Sequence, residues 1–235
     1  YTKNKTAKRD GLLNVRVSIG SSKQKQTYES NQVDYAGGSL TAGDTVTLTA
    51  QSTDSAKGNV QAIAQNIQAK QVNILASNDV DLEAATNTAI TNATNKSSGA
   101  SIGVNVSVNG TGILGMDASY SKAKEVETGT STTHTATTVT GSESVTIQSG
   151  QDTTVRGAQV VGNTVSMDVG RNLTVESLQD TNDYHQTSKS SGASISTNST
   201  GAPTVMASST KGKMDSTYAS VTEQAGIKAG DGGYT

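Results

Sequence analysis

The chain of 235 residues is long enough for one or two domains, yet only 32% of its residues are hydrophobic and it contains no Trp, Phe or Cys. The absence of Cys excludes disulfide bonds and thiolate metal sites, and a formal net charge of −2 gives no electrostatic reason to expect nucleic acid as a partner. The remaining apolar residues are mostly β-branched and strongly patterned, which argues against disorder and favours an elongated repeat protein with a narrow core.

The chain begins with an arm in which apolar and polar residues alternate. The apolar positions are Leu13, Val15, Val17 and Ile19, and polar residues lie between them. Strict alternation places one set of side chains on one face of a strand. Residues 1–38 are therefore predicted to form a partial hairpin repeat.

Short strands separated by turn residues are predicted for residues 39–96. Alternating segments occupy 43–50, 71–75 and 79–84, and the first and third begin at Gly43 and Asp79, residue types that supply turns. Segment 62–74 also fits a helical face, but its asparagines disfavour a helix and favour a strand. Because the spacing is too short for crossover helices, the strands are predicted to stack in parallel as coils of a β-helix.

A long β-hairpin is predicted for residues 97–138, with arms 101–109 and 113–122 around the glycine turn 110–112. Alternate residues form its apolar face: Ile102, Val104, Val106, Val108, Leu114, Met116, Ala118 and Tyr120. Arms of this length and alternation suit membrane-spanning strands, with Tyr120 near the polar end. Packing of this face against protein requires the same apolar residues, so the sequence leaves membrane contact and protein packing as alternatives.

The pattern repeats with an offset of 93 residues. The sequence Ser-Ser-Gly-Ala-Ser occurs at 97–101 and again at 190–194, and segment 77–83 aligns with 170–176. Two independent matches at one offset indicate a long repeat in which coils and a hairpin alternate.

The second copy extends the prediction along the rest of the chain. Coils are predicted for 139–185, a second hairpin extension for 186–222 with Pro203 at its turn, and the start of a further coil for 223–235. The pattern begins and ends within a repeat, so residues 1–235 are expected to be one fragment of a longer repeat array. Roughly five coils would make a rod about 25 Å long, at about 4.8 Å between stacked strands.

The core of these coils is predicted to consist of stacked Val, Ile, Leu and Ala side chains. Alternation along 163–169 and 172–176 assigns Val165 and Leu173 to the inward face. An unpaired charge in so narrow a core has no partner, so Val165→Asp or Leu173→Asp is expected to unfold the adjacent coils.

No residue pattern predicts a catalytic, cofactor or metal site. His134 and His185 lie in polar stretches without a carboxylate cluster and are expected to be exposed on coil loops. Residues 110–115 match G-x-G-x-x-G, but an alternating strand follows instead of a helix, which favours a hairpin turn. A glycan-cleaving β-helix enzyme would need clustered carboxylates on adjacent coils, and the sequence shows none. The chain is therefore predicted not to be an enzyme.

Three segments carry a resemblance to a known family. They are Thr-Val-Thr-Leu-Thr-Ala at 45–50, Asn-Leu-Thr-Val-Glu-Ser at 172–177, and the two Ser-Ser-Gly-Ala-Ser hairpin starts. Together with the 93-residue spacing, they resemble the filamentous hemagglutinin repeats of two-partner secreted exoproteins. The resemblance is strongest to the second repeat region of contact-dependent growth inhibition proteins, and it extends from Leu12 to Gly230.

The resemblance implies an all-β protein, a right-handed parallel β-helix with protruding hairpins. It implies export through an outer-membrane transporter partner to the bacterial cell surface, with a periplasmic stage before delivery left open. In inhibition proteins this region is implicated in delivering a C-terminal toxin into neighbouring bacteria, so the hairpins are expected to associate with the outer membrane of the target cell or its lipids. The alternative is a structural stalk or hemagglutinin-like adhesin, and exposed hairpin edges also predict self-association.

Overall fold

The computed structural model describes residues 2–5, 14–54, 57–107 and 112–235. All regular secondary structure within these ranges is β-strand. The predicted all-β class is confirmed. The chain divides into two compact units. The first comprises Tyr1–Ser30, Thr91–Gly129 and Tyr184–Ser216, and the second comprises Asn31–Ile90, Thr130–Asp183 and Thr217–Thr235.

The strands of the described residues are, in chain order, β1 (Thr2–Lys5), β2 (Asn14–Val33), β3 (Gly38–Thr41), β4 (Thr45–Ala50), β5 (Val60–Ile63), β6 (Gln65–Ala76), β7 (Val80–Glu83), β8 (Ala85–Ser107), β9 (Ile113–Thr135), β10 (Thr137–Ser149), β11 (Thr153–Arg156), β12 (Ala158–Val169), β13 (Leu173–Glu176), β14 (Asp180–Thr197), β15 (Pro203–Ser220) and β16 (Gly226–Tyr234). The short strands predicted near 43–50, 71–75, 79–84 and 172–176 are all present. Segment 62–74, for which a strand was favoured over a helix, lies in β5 and β6.

Two parallel sheets form the second unit. One has the strand order β16-β12-β10-β6-β3, with β4 also pairing with β6, and the other has the order β13-β11-β7-β5. The chain runs from the first sheet to the second and back, and we call each such round a passage. Each strand pairs in parallel with the equivalent strand of the next passage. The order of strands along each sheet therefore follows the order of passages along the chain.

Like residues stack on one another across these passages. Val46 pairs in register with Val72, Val72 with Val145, and Val145 with Val165. The last three are completely buried, and Val46 is 6% exposed. Because β-branched side chains pack well on a pleated surface and alternate residues face inward, each such ladder adds to a core that is narrow but continuous.

A ladder of Asn and Asp residues joins the turns that precede the strands of the second sheet. The backbone N–H of Asp79 donates to Asn59 Oδ1 (3.3 Å), that of Asp152 to Asp79 Oδ1 (3.0 Å), and that of Asn172 to Asp152 Oδ1 (3.1 Å). Short polar side chains that bond to nearby backbone favour turns over regular strands. Here the same residues also connect each turn to the next.

Asp152 is further held by Arg171, and this pair predicts a dependence of stability on pH. The guanidinium donates to both carboxylate oxygens, with Nε 2.8 Å from Oδ1 and Nη2 2.5 Å from Oδ2. These bonds lower the pKa of Asp152 to about 2. Because the folded-state pKa lies below that of the unfolded carboxyl, the pair stabilises the fold above about pH 4, and this contribution is lost as the pH falls towards 2.

Asp152→Asn removes the carboxylate charge but keeps an oxygen that accepts from the Asn172 backbone amide. The difference in stability between this variant and the unchanged chain therefore measures the contribution of the ion pair with Arg171. We expect Asp152→Asn to be slightly less stable at pH 7, because a solvent-accessible ion pair contributes little. The two urea midpoints should converge between pH 4 and pH 2. A difference that stays constant over that range would contradict the assignment.

An antiparallel sheet forms the first unit. The strand order is β1-β2-β8-β9-β14-β15, and β1 pairs antiparallel with β2. Asn95 contacts Glu125 and Ser101 contacts Ser119, so residue numbers fall along β9 as they rise along β8. The strands β8 and β9 are neighbours, as predicted for the hairpin arms, and β14 and β15 repeat the arrangement.

Two positions differ from the predictions. Pro203 was placed at the turn of the second hairpin, but it is the first residue of β15, and the turn lies before it with Gly201 at a φ of +76°. Leu173 was assigned to the inward face, but it is 47% exposed because β13 lies at the end of its sheet and no neighbouring strand covers it on that side among the described residues. Val165 is completely buried, as predicted.

Candidate interaction surface of the antiparallel sheet

The antiparallel sheet of the first unit has one polar face. Arg16 Nη2 donates to Asp117 Oδ2 at 2.5 Å, and the hydroxyl groups of Ser101 and Ser119 lie 2.8 Å apart. A Cβ added to Gly103 would lie 2.7 Å from Asp117 Oδ1, so a glycine leaves the space that the Asp117 carboxylate occupies. These contacts place all five residues on the same face of β2, β8 and β9.

Because side chains alternate, the residues between them lie on the opposite face. Seven of the eight residues predicted for the hairpin face are described there. Ile102, Met116 and Tyr120 are 58%, 51% and 52% exposed, and Val104, Val106, Leu114 and Ala118 are half-buried. Val108 lies outside the described residues. Because Arg16 lies on the polar face, the odd-numbered β2 residues Val15, Val17 and Ile19 also lie on this opposite face.

The second hairpin continues this surface, a feature that the sequence did not predict. Gln186 on β14 donates to Glu125 and Glu127 on β9, so even-numbered residues of β14 share the polar face. Ile195 therefore lies on the opposite face, 47% exposed. Pairing of β14 with β15 adds Val205, which is 70% exposed. The only signal in the sequence was the weak alternation of 193–206.

We call this surface the apolar band. It consists of Val15, Val17, Ile19, Ile102, Val104, Val106, Leu114, Met116, Ala118, Tyr120, Ala193, Ile195, Val205 and Ala207. Large apolar side chains that remain exposed together on one sheet face are typical of interaction surfaces. The predicted face is thus part of a larger surface that extends over five strands.

Three carboxylates, those of Asp117, Glu125 and Glu127, lie on the polar face. Asn95 donates to Glu125 at 3.4 Å, and Gln186 bonds to the same carboxylate. Burial raises the pKa of Tyr184, and the neighbouring Glu127 and Glu125 raise it further. By parity, the exposed Ile113, Met206 and Met214 also lie on this face, so the face is mainly but not wholly polar.

Both histidines lie in strands and not on coil loops as predicted, but the His185 side chain is 60% exposed, in agreement with the predicted exposure. In the second unit, His134 Nδ1 lies 3.0 Å from Asp180 Oδ1, and the His134 side chain is only 14% exposed. Burial alone would raise the pKa of Asp180, but hydrogen bonds from Thr222 and His134 hold it below its ordinary value. In the first unit, His185 Nδ1 lies 2.7 Å from Asp215 Oδ1. Pairing with a neighbouring strand, which the sequence does not reveal, supplies both partners.

The described residues contain no group of three or more His, Cys, Asp or Glu placed to hold a metal ion. Nor does that part of the chain contain a helix able to cross a membrane.

Comparison with known proteins identifies a family and several relatives. A family model described as hemagglutinin repeat matches residues 17–193. A tRNA nuclease CdiA of Yersinia mollaretii is 34% identical over 94% of the chain, and a toxin CdiA of Yersinia pestis is 37% identical over 94%. A deoxyribonuclease CdiA of Yersinia pseudotuberculosis is also 37% identical over 94%. The chain spans 8%, 7% and 21% of these proteins respectively. No solved structure gives a significant match.

Proposed function

Because the chain belongs to the hemagglutinin repeat family, with contact-dependent growth inhibition proteins among its relatives, we propose that it is a non-enzymatic module for toxin delivery into neighbouring bacteria. The resemblance predicted from the sequence is confirmed. The chain is a repeat segment of a large exoprotein, secreted to the cell surface by two-partner secretion. In the proposal, an outer-membrane transporter exports it and a periplasmic stage precedes delivery.

The names of the relatives support a role other than catalysis. Relatives named as a tRNA nuclease and as a deoxyribonuclease are 34% and 37% identical to the chain over the same 94% of its length. Since one segment is about equally similar to proteins with different named activities, we assign those activities to parts of the relatives outside this segment. In this proposal, the chain serves the delivery of the toxin part of the exoprotein.

For the second unit we propose a right-handed parallel β-helix. The proposal is supported by the parallel registers of successive passages, the Val46–Val72–Val145–Val165 ladder and the stacked Asn and Asp turns. The division into coil segments 39–96 and 139–185 and hairpin extensions 97–138 and 186–222 belongs to the same proposal.

For the first unit we propose that the apolar band associates with the outer membrane of the target cell. The observation that carries this proposal is the exposure of Ile102, Met116 and Tyr120 on one face, opposite a mainly polar face with hydrogen-bonded side chains. An amphipathic helix lies in a membrane interface with its apolar side immersed, and we propose the same arrangement for this sheet. Burial of half-exposed aliphatic side chains would supply the free energy.

A structural stalk or adhesin is the second candidate function. It is favoured by the row of outward Thr residues on β4, where Thr45, Thr47 and Thr49 are exposed beside the buried Val46. In that case the coils present binding surfaces and the hairpins pack on protein.

Flotation with vesicles of outer-membrane lipids separates the two candidates. We expect the unchanged chain to float and Val104→Asp/Val106→Asp to lose roughly tenfold or more in bound fraction, since two carboxylates would enter an apolar environment. A matched control, Ser101→Asp/Asn105→Asp, adds the same charge to the polar face of the same strand and should float like the unchanged chain.

Circular dichroism of all three proteins checks that the sheet is retained. If the unchanged chain fails to float, or if the Val variant floats equally well, the band does not contact lipid. The stalk would then be the better assignment.

A further inference from the structure

Lysines lie beyond one end of the apolar band on the same strands of the first unit. They are Lys23, Lys25, Lys96, Lys122, Lys124, Lys189, Lys211 and Lys213, which we call the lysine row. All eight are exposed. Their parity in each strand is that of the apolar band, so they lie on the same face.

Strand register brings three of these lysines side by side. A Cβ added to Gly20 would lie 3.0 Å from Ser101 Cβ, so these two residues are opposite each other, and counting along the antiparallel pair places Lys25 beside Lys96. The contact of Asn95 with Glu125 places Lys96 beside Lys124 in the same way.

The second hairpin supplies the next pair. A Cβ added to Gly212 would lie 2.6 Å from Ser188 Oγ, so counting one residue further places Lys189 beside Lys211. Because Ser188 and Gly212 lie on the polar face with Gln186, these two lysines lie on the face of the apolar band. Ammonium groups therefore line the sheet from β2 to β15.

Few carboxylates neutralise the lysine row. Asp215 pairs with Lys213 at 2.5 Å and also with His185, and Glu29 lies further along the same face of β2. Glu125 and Glu127, at the level of the row, lie on the opposite face. Within the described residues, the other seven lysines form no ion pair.

Like charges directly opposite each other on neighbouring strands destabilise a sheet. Their repulsion is relieved when an anion lies over them. The apolar band begins at Tyr120, two residues before Lys122, or about 7 Å along a strand. An occupant of this face must therefore combine an apolar region with adjacent negative charge.

We propose that the lysine row binds the phosphate groups of anionic lipid headgroups while the apolar band enters the same membrane leaflet. The inference rests on the proposed membrane association and specifies its partner. Long lysine side chains reach phosphates while their stems cover apolar surface, and a Tyr between the two zones is typical of a membrane interface. A second copy of this face would bring lysine against lysine, which disfavours face-to-face self-association.

The test uses two vesicle types, phosphatidylcholine alone and phosphatidylcholine with phosphatidylglycerol. The chain should bind the anionic vesicles more tightly, and added salt should weaken that preference. Lys25→Gln/Lys96→Gln/Lys124→Gln should lose about fivefold in anionic-vesicle binding for each lysine, roughly a hundredfold in all, and should bind neutral vesicles unchanged. The control Lys57→Gln/Lys70→Gln/Lys228→Gln removes three exposed lysines of the second unit and should behave like the unchanged chain.

The outcomes separate this inference from the function on which it rests. Equal binding of the unchanged chain and the triple lysine variant to both vesicle types overturns the lysine assignment and leaves membrane association intact. The lysine assignment is also wrong if only Val104→Asp/Val106→Asp loses binding, and loses it to both vesicle types. The self-association of the unchanged chain and of the triple lysine variant is also compared without vesicles. If the unchanged chain self-associates and the variant does not, the occupant is a second copy of the chain and the inference is wrong.

Discussion

Val165→Asp is expected to abolish cooperative folding of the second unit at room temperature. Val165 is completely buried, and it lies in register between Val145 on β10 and Tyr234 on β16. A carboxylate there would lack any partner, and an uncompensated buried charge costs about 3 kcal/mol or more. Domains of ordinary stability have about 5–15 kcal/mol in total, and this core is narrow.

Leu173→Asp is the matched control, because it makes a similar change at a side chain that is 47% exposed. We expect the free energy of unfolding of Leu173→Asp to stay within about 1 kcal/mol of that of the unchanged chain. Urea unfolding followed by far-ultraviolet circular dichroism measures both variants. Equal stability of Val165→Asp and the unchanged chain would mean that the stacked valines do not form the core.

Gly150→Ala is expected to destabilise the second unit by about 1–3 kcal/mol, since the added methyl group overpacks a site that cannot expand. Gly150 lies in the turn between β10 and β11, and an added Cβ would overlap the Ser77 carbonyl group of the preceding passage. The backbone is fixed on both sides, because Gly150 N donates to Ala76 O at 3.1 Å and Ser77 N donates to Ala50 O at 2.9 Å. Successive turns pack too closely for any side chain at this position.

Gly43→Ala provides the comparison. Gly43 also lies in a turn of the second unit, but an added Cβ would have no atom within 4 Å. It should be neutral or slightly stabilising, because alanine restricts the unfolded chain. Thermal melts of the two variants should differ clearly, and equal melting temperatures would show that the turns do not stack as closely as described.

In the proposed module, the second unit provides a stable core and the first unit provides the binding surface. The stacked passages of the second unit have buried apolar ladders, so single core changes there are expected to reduce stability. The sheet of the first unit leaves its apolar side chains and lysines exposed, so substitutions there are expected to change binding more than stability.

Much of the secondary structure follows from the sequence alone. Alternation of apolar and polar residues identified strand β4 and the part of β8 at 101–107, because the side-chain period of a strand is two residues. Glycine and Asx residues marked the turns, and the offset of 93 residues indicated a long repeat. These signals are local, and each is present in the chain before any distant contact forms.

Only the tertiary structure determined which strands become neighbours and which faces they share. Alternation predicted Leu173 to face inward, but its exposure depends on whether a further strand covers β13. Lys25, Lys96 and Lys124 are far apart in the sequence, and strand register alone brings them side by side. Pairing across β9 and β14 likewise joined Ile195 to the apolar band. Register depends on contacts between distant segments, so no local pattern contains it.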